Sequence, residues 1–118
     1  MKINIFNFFK KKHVEIPVIK MYVLVRADMS PINQAVQSGH AVAEYMKHFY
    51  YRTIWRNGVL VYLSVPNESA LNQWEAKLKA ADIDFATFVE PDWGDPTKTA
   101  LAFCTTSQIA KELPLMKI

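Results

Sequence analysis

A chain of 118 residues, 51% apolar and 13% aromatic, is long enough for one domain with a sizeable core and too short for two. Its single cysteine, Cys104, excludes an intramolecular disulfide, fits a reducing cytoplasm, and reads as a buried small hydrophobe rather than a nucleophile. The net charge of +3 divides unevenly: five lysines against Glu15 leave +4 in residues 1–20, and nine basic against ten acidic side chains leave −1 in residues 21–118, so the domain itself carries little electrostatic signature of nucleic-acid binding.

Residues 1–19 form a basic, aromatic N-terminal extension. Ile3, Ile5, Phe6, Phe8 and Phe9 precede the lysine run 10–12. An interfacial membrane helix is one reading, but so few apolar residues would hold it weakly. A tail that packs its phenylalanines on the domain or a partner is preferred. No segment approaches the roughly 20 apolar residues needed to cross a bilayer, so no integral membrane segment is expected.

The domain, residues 20–118, opens with Met21–Val25, an apolar run rich in β-formers. Ala27–Pro31 then turns into a helix, with Ser30 as N-cap and Pro31 at the first helical position. Asn33, Gln37, His40, Glu44 and Lys47 fall four, three, four and three apart and share one helical face. Ile32, Val36, Gly39, Ala43, Met46 and Tyr50 form a separate apolar stripe, expected to face the core. Asn57-Gly58 marks a turn before the strand Val59–Val65. Asn67 caps a second helix running to about Ala81, with Leu71, Trp74 and Leu78 as core and Glu75–Lys79 as an exposed pair. Ile83–Val89 reads as a third strand, Glu90–Lys98 as an acidic loop, Thr99–Cys104 as a fourth strand, and Ser107–Glu112 as a short last helix. This order predicts a three-layer α/β/α sandwich on a mixed, mostly parallel four-stranded sheet.

Several of these residues form a wider pattern. Val25-Arg26-x-Asp28 ends the first strand, Gln37-x-x-His40-Ala41 lies on the helix, and Asp92-x-Gly94 with Thr97-Lys98-Thr99 precedes the last strand. In this order they resemble the type 2 peptidyl-tRNA hydrolase family over about Lys20–Cys104. Where that family usually carries a Gly-Lys pair, this chain has Ile32 and Asn33. Its longer acidic segment is reduced here to Asp92-Trp93-Gly94-Asp95.

The resemblance implies hydrolysis of the ester joining a peptide, or another N-blocked aminoacyl group, to the 3′ end of tRNA. His40 and Asp92 would be the acid–base pair, with Gln37 and Thr99 orienting water or substrate. Asn33, Arg26 and Lys98 would bind substrate. Histidine titrates near neutrality and suits general-base work, and an asparagine amide can donate to an oxyanion. Gln37, His40, Asp92 and Thr99 are expected to meet in one pocket. Arg26, Lys47, Arg52, Arg56 and Lys98 could add a local basic patch, and ordinary solvated charges explain them equally well. Glu90, Asp92 and Asp95 are by default loop acids. No Cys/His spacing suits a metal, since His40 and His48 are eight apart, and no cofactor is expected. A homodimer is one admissible assembly. The alternative is a non-catalytic relative of the same fold that binds RNA, a nucleotide or a protein; the missing lysine and the short acidic loop favour it.

Overall fold

The computed structural model describes residues 18–106 and 108–117, so the sequence readings for residues 1–17 and for Ser107 fall outside the described residues. Six elements follow in order: β1 (Lys20–Arg26), α1 (Pro31–Phe49), β2 (Leu60–Val65), α2 (Glu68–Ala80), β3 (Phe85–Glu90) and β4 (Thr97–Thr105). Together they make an α/β domain with a four-stranded mixed sheet and two helices. Both helices start where the capping residues direct. The Ser30 side chain accepts from the Asn33 amide, with Pro31 just inside α1, and the Asn67 side chain accepts from the Ala70 amide. Helix α2 ends with the Asp82 amide on the Lys79 carbonyl and the Ile83 amide on the Leu78 carbonyl; Asp82 takes the left-handed conformation this stop requires (φ 56°).

The strand order is β2-β1-β4-β3. β1 pairs parallel with β2, and β4 pairs antiparallel with both β1 and β3. Three strands therefore point one way and β4 runs against them. Because β4 lies between β1 and β3, only one of the three pairings is parallel. The expected mostly parallel sheet holds for strand direction and fails for pairing. The cause is the loop 91–96, which closes an antiparallel hairpin and is too short for a crossover.

Alternation along β1 sorts the core. Met21, Val23 and Val25 join Ala41 and Tyr45 of α1, with Ala86, Ala100 and Ala102. Leu24 joins Leu71 and Leu78 of α2, with Leu63, Val65, Leu101 and Phe103. Each helix thus buries its own cluster against the sheet.

The buried side of α1 differs from the expected stripe. Gln34, Gln37, Ser38, Ala41 and Tyr45 face the sheet, while Ile32 and Val36 are 76% and 50% exposed. The first half of the helix buries polar side chains, which is tolerable because each is hydrogen-bonded: Gln34 Nε2 donates to the Met29 carbonyl and Ser38 Oγ contacts Met116 Sδ. Glu75 likewise departs from the expected pairing with Lys79; it turns toward the sheet and meets Lys98.

The expected last helix is a set of turns. Downstream of it the Ser64 amide donates to the Pro114 carbonyl and the Met116 amide to the Tyr62 carbonyl, so residues 114–116 lie along the outer edge of β2. Covering that edge satisfies backbone groups that a sheet border would otherwise leave open. Among the described residues no helix is long and apolar enough to cross a membrane.

Candidate functional site

At the carboxyl edge of the sheet, where β1, β2 and β3 end and β4 begins, a β-bulge decides which side chains meet. Phe88 pairs with Ala100, but the next residue of β3, Val89, pairs with Lys98. Thr99 is therefore the extra residue. Strict alternation would place Thr99 beside Leu101 on the α2 face and Lys98 beside Ala100 on the α1 face. The bulge reverses both.

On the α1 face, Thr99 Oγ1 donates to Gln37 Oε1 (2.7 Å), and Gln37 Nε2 donates to Glu90 Oε2 (2.9 Å). The other carboxylate oxygen, Glu90 Oε1, accepts from the Asp92 amide (3.2 Å). Gln37 and Thr99 are 3% and 0% exposed, and Glu90 is 7% exposed. Glu90 reaches this face because β3 alternates regularly, placing Ala86, Phe88 and Glu90 toward α1. Among the described residues no lysine or arginine pairs with it. Its carboxyl is nonetheless held below its ordinary range, first by the Gln37 hydrogen bond, with the Asp92 amide and the nearby His40 adding to the effect against the cost of burial. The hydrogen bonds to this carboxylate come from neutral donors, the Gln37 amide and the Asp92 backbone.

His40 stands one turn after Gln37 on α1. Its exposed ring stacks on Phe88, centroids 4.3 Å apart and planes 10° from parallel. It is the group beside Glu90 that solvent reaches freely. Asp92 is exposed in the loop after β3 and joins the cluster through its backbone; Gly94 follows with φ 81°, a conformation glycine adopts without strain. Asn33 is exposed in the first turn of α1, two turns from His40 along the same side of the helix.

On the α2 face, Lys98 Nζ meets Glu75 Oε1 (2.6 Å) and Asn72 Oδ1 (2.8 Å), and Thr87 Oγ1 donates to Glu75 Oε2 (2.6 Å). Burial alone would raise Glu75, but the Lys98 and Thr87 hydrogen bonds outweigh it and hold the carboxyl low. Arg26 forms a two-pronged contact with Asp28 (2.9 Å each) and donates to the Lys98 carbonyl (3.1 Å). The Asp28 hydrogen bond raises Arg26, and the Arg26 hydrogen bond lowers Asp28.

Of the residues singled out from sequence, the structure brings Gln37 and Thr99 into contact and gathers His40 and the Asp92 backbone around the same carboxylate. It sends Arg26 and Lys98 to the opposite face, where carboxylates already engage them. The expected pocket of Gln37, His40, Asp92 and Thr99 therefore lies on the face away from these two side chains. Of the two readings of the basic side chains, the structure fits dispersed surface charges, since Arg52 pairs with Asp84 and Arg56 turns onto the backbone carbonyls of Thr53 and Trp55. Glu90 was missed because it sits at the start of an acidic loop; counting the period of two from Ala86 and Phe88 would have found it.

Cys104 is half-buried beside Tyr45. Burial pushes its thiol up, opposing thiolate chemistry, and burial likewise pushes Tyr45 up to about 12. Among the described residues no group of three or more His, Cys, Asp or Glu side chains could hold a metal ion.

No family model matches the chain, and no curated protein matches it. Among solved structures it is similar to Atu0240, a protein of unknown function from Agrobacterium tumefaciens C58. That match has 12% identity and a TM-score of 0.63, and covers 87% of this chain and all of the other. The likeness extends to the fold.

Proposed function

We propose that the α1 face is the working face of an ester hydrolase acting on peptidyl-tRNA or a related N-blocked aminoacyl-tRNA, in a three-layer α/β/α domain with one helix on each face of the sheet. One observation supports this most: Glu90, held low by the Gln37 hydrogen bond and paired with no lysine or arginine among the described residues, lies beside the exposed imidazole of His40. In this reading His40 removes a proton from water as the water oxygen bonds to the ester carbonyl carbon. The ester C–O bond then breaks, and the imidazolium returns the proton to the departing ribose hydroxyl. Gln37 and Thr99 act as positioning residues, since both are buried away from a substrate. Asn33 offers an amide to the oxyanion, and Asp92 offers a second acid–base group at the loop. The enzyme would work in the cytoplasm on the 3′ end of tRNA, without a cofactor.

The test is release of N-acetylated amino acid from charged tRNA by the purified protein, with His40→Ala alongside. Turnover by wild type that falls about 100-fold or more in the variant supports the proposal; absence of release by wild type refutes it. A second reading, a non-catalytic RNA- or protein-binding relative, is favoured by Arg26 and Lys98. Both are engaged by carboxylates on the face away from His40. It predicts tRNA or partner binding with no release.

A further inference from the structure

The apolar stripe on α1 that the sequence assigns to the core points mostly away from it, and of its six residues Met46 is the one that also packs against the core. Ile32, Val36, Gly39 and Ala43 are exposed, Met46 is half-buried, and Tyr50, at the helix C-cap, is 67% exposed. A soluble surface helix ordinarily turns such a stripe inward. Here the inward side is taken by Gln34, Gln37, Ser38, Ala41 and Tyr45. The stripe recurs at alternating steps of four and three, the spacing of a helix-to-helix seam.

We propose that this face binds a second copy of the chain through an antiparallel, two-fold α1–α1 contact. The sequence along the stripe is self-complementary in that orientation. With the two-fold axis level with position 41, Ile32 meets Tyr50 of the other copy, Val36 meets Met46, and Gly39 meets Ala43. Large side chains therefore close both ends while the two small residues lie at the crossing. A Cβ built on Gly39 would touch nothing within 4 Å, so the centre of the face is open for close approach. An isologous contact of this kind needs only one surface patch that matches itself. A parallel pairing would instead set Gly39 against Gly39 and Tyr50 against Tyr50, leaving a void at one level and crowding at another. Helix α1, 19 residues long, spans roughly 28 Å. So short a seam implies a weak dimer, populated at about micromolar concentrations and above.

Sedimentation velocity on the full chain, from about 1 to about 500 µM, should show a concentration-dependent dimer. Val36→Glu should weaken it at least about tenfold, since each copy would bring a charge into the apolar seam. The position is 50% exposed, so below the concentrations at which wild type dimerises the variant's melting temperature should match wild type. In a Cys104→Ala background, Ile32→Cys with Tyr50→Cys should cross-link into dimers on mild oxidation. Ile32→Cys alone should not, because the two copies of position 32 would lie roughly 27 Å apart. A chain that stays monomeric throughout overturns the proposal and leaves the stripe to residues 1–17 or to a different protein. A dimer indifferent to Val36→Glu, or a cross-link through Ile32→Cys alone, overturns it too.

Discussion

Lys98 and Thr99 are neighbours in β4, yet they belong to opposite sides of the sheet and to different kinds of electrostatics. On the α2 side, Lys98, Glu75, Arg26 and Asp28 match cation to anion, and each carboxylate has a partner of opposite charge. On the α1 side, Gln37, itself held by Thr99, and the Asp92 amide donate to Glu90. The first arrangement is complete without a ligand. The second leaves a negative charge with the exposed His40 nearby and, among the described residues, no lysine or arginine paired with it. A paired network explains itself as structure, whereas an uncompensated buried charge beside an accessible imidazole asks for chemistry.

The contrast can be broken most forcefully at Gln37. Gln37→Leu strands the buried Thr99 hydroxyl and removes the amide that donates to Glu90, and it should cost about 2 kcal/mol or more of stability in urea unfolding. Thr99→Val, which removes one hydrogen bond and leaves the Gln37 carbonyl unmet, should cost about 1 kcal/mol. Lys98→Met should cost less than about 1 kcal/mol, because the Lys98 side chain is 35% exposed and Glu75 keeps the Thr87 hydroxyl. Salt separates the two faces further. In 1 M NaCl, where screening extends only about 3 Å, the Lys98→Met penalty should shrink and the Gln37→Leu penalty should persist. Equal penalties that respond equally to salt would erase the distinction between the faces.

The pH dependence gives a finer discriminant. Glu90 is lowered from 4.5 in the folded state, so the folded protein binds its proton later than the unfolded chain does as pH falls. Its contribution to stability is therefore present in full above about pH 4.5 and fades as pH drops through the lowered folded value. Melting temperatures of wild type and Glu90→Gln should differ at pH 7 and converge in acid. Divergence in acid would mean that Glu90 is held in its neutral form.

Much of the scaffold is legible in the sequence. Ser30-Pro31 and Asn67 announce both helices, and β-rich runs announce all four strands. What is not legible depends on partners distant in sequence. The inward side of α1 reads as outward because Gln34, Gln37 and Ser38 look like surface residues until Met29, Glu90, Thr99 and Met116 are seen to satisfy them. The split between Lys98 and Thr99 depends on a bulge set by β3, which no local pattern in β4 announces. Glu75 looks like the partner of Lys79 because the helical spacing fits, and only the sheet supplies Lys98 instead. The last turns look helical until residues 114–116 are drawn along β2. The candidate site was thus visible as a set of residue types, while its division between two faces and its central acid, Glu90, were not.

The central claim is that the α1 face does the work and the α2 face holds the fold. Its most direct test compares His40→Ala and Lys98→Met, each shown to be folded, for release of N-acetylated amino acid from charged tRNA. Turnover should fall about 100-fold or more in His40→Ala and stay within about twofold of wild type in Lys98→Met. The reverse order, or an equal loss in both, would contradict the account.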